Sequence, residues 1–189
     1  MQTVSTSLPP ARLTCAQVDA AIEAARAEPL PVPRIARDVQ FSAHHSLCAG
    51  WEIVDVWQTY ESGRTVWHAR RKQMSRSGDL VTASTDSNVC PAIITGLTAL
   101  ERVKVDLTVI APDVPNGART VPPPPPPEDG TTFGLRLLSA RQRDGSTAQV
   151  RVSSSIGPLA RWAETELPRL ASCWRTHPVA IGPDAAGEP

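Results

Sequence analysis

Residues 50–72 read GWEIVDVWQTYESGRTVWHARRK, with β-branched and aromatic residues on both sides of Glu61-Ser62-Gly63-Arg64. That pattern spells a hairpin closed by a short turn. A two-residue turn at Ser62-Gly63 sets Tyr60 opposite Thr65, Gln58 opposite Trp67, Trp57 opposite His68 and Asp55 opposite Arg70. Side chains alternate between the faces of a strand. Trp51, Ile53, Asp55 and Trp57 therefore share a face with Val66, His68 and Arg70. A third strand over roughly 79–85 returns after Ser75-Arg76-Ser77-Gly78 and completes a meander.

Working outward toward the N-terminus, residues 14–28 carry the spacing of an amphipathic helix. Thr14 is its cap, Cys15, Val18, Ile22 and Ala25 line one face, and Pro29, Pro31 and Pro33 end it. An extended stretch from Ile35 to Phe41 follows, and His44-His45 reads as an exposed polar turn. On the other side of the meander, Cys90-Pro91 opens a helix with Ile93, Ile94, Leu97 and Leu100 as its stripe. Lys104 to Ile110 alternates as a strand, and the break from Pro112 to Gly130 contains the stiff run Pro122–Pro127.

A second hairpin alternates Phe133, Leu135 and Leu137 on the way in and Ala148, Val150 and Val152 on the way out. Asp144-Gly145 supplies its type I′ turn. Gly157-Pro158 starts the last helix, with Leu159, Trp162, Leu167, Leu170, Cys173 and Trp174 on its stripe and Pro168 set to kink or split it.

Hairpin-linked strands with helices between them define an α+β domain. We expect one domain over residues 14–175, with a largely antiparallel sheet of about six strands and three helices mainly on one face. Residues 1–13 and 176–189 are expected to be flexible ends. The length of 189 residues fits a single core.

Nineteen acidic and nineteen basic side chains cancel, so no global field draws the chain to nucleic acid or anionic lipid. No apolar run reaches the roughly 18 residues of a membrane span. Nineteen prolines, and 17 arginines against Lys72 and Lys104, are compositional biases that select no function.

Cys15, Cys48, Cys90 and Cys173 form an even, widely spread set without a C-x-x-C pair. Zinc sites use short paired spacings, so structural disulfides and an oxidising compartment are the better reading. Three pairings exist. Because Cys15 and Cys173 both lie on helical apolar stripes, the expected bridges are Cys15–Cys173, joining the first and last helices, and Cys48–Cys90. Met1-Gln-Thr-Val-Ser-Thr-Ser lacks the basic and apolar regions of a signal peptide. The expectation is a mature periplasmic or secreted chain; the alternative is a cytoplasmic one with four buried thiols.

For function, the sequence offers a recognition surface before it offers chemistry. Trp51, Asp55, Trp57, His68 and Arg70 on one hairpin face combine two indoles with an acid, an imidazole and a guanidinium. The competing structural reading packs the indoles under a helix and leaves Asp55 and Arg70 as a cross-strand ion pair at the rim. Cys90 at a helix N-terminus is the one candidate nucleophile, since that position favours thiolate. His44, His45 and Cys48 have the ligand chemistry for a metal, but adjacent strand residues point to opposite faces, so no metal or other cofactor is expected.

Phosphate-loop, zinc-protease and serine-hydrolase motifs are absent. The function expected is an exported, non-catalytic protein that binds another protein or an envelope component; the alternative is a cysteine-dependent hydrolase or transferase using Cys90. Neither nucleic acid nor membrane insertion is expected.

Overall fold

Thr14 closes the start of the first helix with a capping box. Its hydroxyl accepts from the Gln17 N–H, and the Gln17 side chain reaches back to the Thr14 N–H. This helix, α1 (Cys15–Ala27), buries Val18, Ile22 and Ala25, the stripe its spacing implied. The computed structural model describes residues 12–32, 35, 37–103, 130–141 and 147–175. The expected strand at Lys104–Ile110, the proline run, the Asp144-Gly145 turn and both chain ends beyond 11 and 175 lie outside the described residues.

Four strands follow α1: β1 (Val39–His45), β2 (Gly50–Glu61), β3 (Arg64–Ser75) and β4 (Leu80–Asp86). Then come α2 (Ala92–Leu100), β5 (Thr131–Arg141), β6 (Thr147–Ser154) and α3 (Pro158–Arg169). All six strands form one antiparallel sheet in the order β4-β3-β2-β1-β5-β6. The fold is therefore a single α+β sheet domain.

The β2–β3 register is the one read from the sequence, including Tyr60↔Thr65, Trp57↔His68 and Asp55↔Arg70. Ser62 and Gly63 both adopt positive φ, 49° and 84°, the pair of left-handed conformations that a type I′ turn requires. Residues 39–45 differ from expectation. They form a central strand between β2 and β5 rather than a short extended lead-in and a polar turn. One neighbour, β2, follows directly, but the other, β5, starts only at Thr131, so local pattern understates the central position.

The sheet carries helices on both faces. Phe41, Val54, Val56, Ala69, Phe133 and Leu135 face α2 and α3 and build the larger core with Ile93, Leu159 and Ala163. Trp162 crosses Phe41 edge to face at 5.3 Å and donates its indole N–H to Gly96 O at 3.0 Å. On the opposite face, Trp51, Ile53 and Met74 pack against Val18 and Ile22 of α1. The first and last helices thus belong to opposite faces and do not share a core.

That placement overturns the expected cysteine pairing. Cys15 bonds Cys48, pinning α1 to the turn between β1 and β2, and Cys90 bonds Cys173, tying the start of α2 to the segment after α3. A Cys15–Cys173 bridge would have to pass through the sheet. Two disulfides fit an oxidising, extracytoplasmic compartment. No helix among the described residues is long and apolar enough to cross a membrane.

Candidate functional site

The face under α1 is where the sequence placed its recognition residues, and their side chains do share it. They do not reach solvent: Trp51 is 1% exposed, Asp55 0%, Trp57 2%, His68 4% and Arg70 6%. Trp51 packs beneath α1, and Trp57 stacks on His68 at 5.5 Å between ring centres. The expected recognition surface is corrected to a buried layer: Trp51 packs under a helix, as the competing structural reading had it, but the Asp55–Arg70 pair is buried and not at the rim.

The charges in that layer have a structural job. Arg70 contacts Asp55 Oδ2 at 2.9 Å and Glu28 Oε1 at 3.0 Å, while Lys72 Nζ reaches Glu28 Oε2 at 2.8 Å. Arg37 Nε lies 2.7 Å from Asp55 Oδ1, an ion pair too bent for a hydrogen bond. Gln40 donates to Asp55 Oδ1 at 2.9 Å.

The same donors meet carbonyls that the end of α1 leaves without partners, and one just beyond it. Lys72 donates to Ala25 O at 2.9 Å, Gln40 to Arg26 O at 3.2 Å and Arg70 to Pro29 O at 3.0 Å; Arg37 donates to Glu28 O. Cations are favoured at the negative end of a helix dipole. This cluster therefore holds the C-terminus of α1 on the sheet.

Two ionisations in the cluster are displaced. Burial pushes the Glu28 carboxyl up, but its hydrogen bond to Lys72 and the charges of Lys72, Arg70 and Arg37 outweigh that and bring it below the usual carboxylate value. Burial brings the Lys72 ammonium below its ordinary value despite Glu28.

None of these groups forms a proton relay. His68 Nε2 is 2.7 Å from Thr59 Oγ1 and 3.1 Å from Glu61 Oε1. Acid and hydroxyl meet the same ring nitrogen, whereas a nucleophile–base–acid chain needs one on each. Asp55 is held by Arg37, Arg70 and Gln40 instead. Cys90 is fully buried and bonded to Cys173, so it is not an available nucleophile in the oxidised chain. Cys48 is bonded to Cys15, and His44 and His45 point apart, with His45 Nδ1 3.0 Å from Thr131 Oγ1. No group of three or more metal-ligating side chains occurs among the described residues.

The accessible feature on this face lies beside α1, over β1, β5 and β6. It is a cavity of about 180 Å³ lined by Arg26, Ser42, His44, Thr132, Gly134, Leu135, Arg136, Arg151 and Ser153. Gly134 keeps it open, since a Cβ there would sit 2.6 Å from Ser42 Oγ. Arg26 donates to Ser42 Oγ at 3.1 Å and pairs with Glu23 at 2.5 Å. Among the described residues, Arg136 reaches only the neutral Gln40 Oε1, at 3.5 Å.

Sequence reading missed this group. Its one signal is that Arg136 and Arg151 each alternate with apolar neighbours, which places them on the face away from the larger core. Comparison with known proteins gives no match at the level of family models, curated proteins or solved structures.

Proposed function

We propose that the chain is an exported, non-catalytic binding protein, periplasmic or secreted, that recognises an envelope component or a protein presented there. The recognition site in this reading is the cavity over β1, β5 and β6, not the tryptophan hairpin. One observation carries it: polar and basic side chains from α1 and three strands converge on an accessible hollow, while Cys90, the candidate nucleophile, is buried and bonded to Cys173. Pockets that combine convergent polar groups with a preformed shape are the default binding sites of a domain. The two disulfides support the exported part of the reading.

The test is saturable co-sedimentation of the oxidised chain with the envelope fraction of its own cells. Ser153→Trp fills the cavity, and Leu80→Ser, on an exposed part of β4, serves as control. Association is expected to fall at least about tenfold for Ser153→Trp and to hold for the control. Equal association of both variants, or no saturable association of the wild type, would overturn the proposal.

A further inference from the structure

Strand register places Arg136 directly opposite Arg151, and both guanidinium groups line the cavity. Like charges facing each other across antiparallel strands are unfavourable, and no carboxylate among the described residues pairs with either of them. Among the described residues, the cavity lining contains no carboxylate. Two exposed acids of α1 contact lining residues: Glu23 is committed to Arg26, and Asp19 Oδ1 stands 3.6 Å from His44 Nε2. Arg151 has no ion pair among the described residues, and the contact of Arg136 with Gln40 is neutral. His44 Nε2 is buried without a hydrogen-bond partner. Ser42, Thr132 and Ser153 add hydroxyls to the same wall. Among the described residues, the hollow is thus rich in donors and carries two facing guanidinium groups with no carboxylate paired to them.

We infer that this cavity is an oxyanion site that takes a phosphate or sulfate group. Planar guanidinium forks bind such oxygens through paired hydrogen bonds. Two unpaired positive charges match a dianion better than a singly charged carboxylate. Size sets the rest. At about 180 Å³ the hollow is close to the ~150 Å³ cavity that admits one benzene ring. It falls short of the roughly 300–1,000 Å³ that enclose a whole small ligand. It therefore holds an anionic group, free or projecting from a larger molecule. This inference rests on reading the cavity as the recognition site.

The experiment is a heteronuclear NMR titration of the oxidised full chain with inorganic phosphate, inorganic sulfate and glycerol phosphate, against chloride at matched ionic strength. Saturable shifts at Ser42, Gly134 and Ser153 are expected with at least one of the three. Tighter binding of the ester identifies a group carried on a larger molecule, and equal binding identifies the free ion. Arg136→Gln with Arg151→Gln should weaken the response by at least about tenfold, and Arg151→Gln alone, at an exposed position, keeps the test available if the double variant misfolds. No saturable response beyond chloride, or an undiminished one in the variants, overturns the oxyanion assignment. If Ser153→Trp still abolishes envelope association in that case, the cavity remains the recognition site and only its ligand class falls.

Discussion

Asp55 and Arg70 face each other across β2 and β3 and meet at 2.9 Å beneath the C-terminal end of α1, with the Asp55 carboxylate wholly buried. Their position, rather than their pairing, is what gives them weight. At the rim such a pair contributes little; in the interior, losing one partner strands the other charge away from water.

Asp55→Ala should therefore destabilise the protein by about 3–5 kcal/mol, since Arg37 and Arg70 both lose their buried counter-charge. Urea denaturation of the oxidised chain measures it. Asp55→Asn keeps the volume and one acceptor and should cost less. A loss below about 1 kcal/mol for the alanine variant would mean the pair behaves as an exposed one.

The charge cluster also predicts an acid limb. Glu28 ionises below its ordinary value of 4.5 in the folded chain because the attraction of Lys72, Arg70 and Arg37 exceeds its desolvation. A carboxyl of this kind adds stability that is fully present above its unfolded value and is lost as pH falls through the folded one. Glu28→Gln should accordingly be less stable than wild type at pH 7, and the two should draw together as pH falls below about 4.5 and meet only below the folded value. Lys72 acts in the same sense at higher pH: its lowered value means that folding gains as pH rises toward the unfolded value of 10.5. Denaturant midpoints across pH 2.5–10 resolve both limbs, and a Glu28→Gln curve parallel to wild type at every pH would remove Glu28 from the acid transition.

How far the sequence discloses this molecule varies with the range of the cause. Local chemistry was legible. The Ser62-Gly63 turn fixed the register of twelve residue pairs, and Thr14 and Pro158 marked helix starts where the structure has them. Layering was not legible. β1 owes its central position to β2 and β5, and the separation of α1 from α3 by the sheet decides which cysteines can meet. The tryptophan hairpin face was composed correctly and misjudged in exposure, because alternation tells which residues share a face but not what covers it. The cavity depends on the β5–β6 register, which a bulge between Leu137 and Ala140 shifts and no residue type announces.

The disulfides offer an independent test of that layering. They close segments of 33 and 83 residues, for which chain entropy gives about 3.7 and about 4.6 kcal/mol. Cys48 packs with the smaller core and Cys90 with the larger, on opposite faces. Removing both bridges should then cost the sum of the two single losses to within about 0.5 kcal/mol. Alanine pairs at 15/48 and 90/173, and all four together, complete the cycle by denaturation. Peptide mapping that found Cys15 bonded to Cys173 would contradict the two-faced arrangement outright.

Arg136 and Arg151 connect stability to recognition through one repulsion. Directly opposed like charges lower the stability of a strand pair, and opposite charges raise it, by about 0.2–1 kcal/mol. Arg151→Glu converts the first case into the second and leaves Arg136 with a partner. The variant should be more stable than wild type in low-salt buffer free of phosphate and sulfate. Added salt screens exposed charges, so wild-type stability should rise with chloride while that of Arg151→Glu falls or stays level. In the proposed oxyanion site this pair faces the bound anion. Phosphate should therefore stabilise the wild type beyond the chloride effect and leave Arg151→Glu unmoved, by mass action on the folded state. Thermal midpoints across the salt series distinguish the cases: a destabilised Arg151→Glu protein would mean that the two guanidinium groups do not repel, and the site would lose its physical basis.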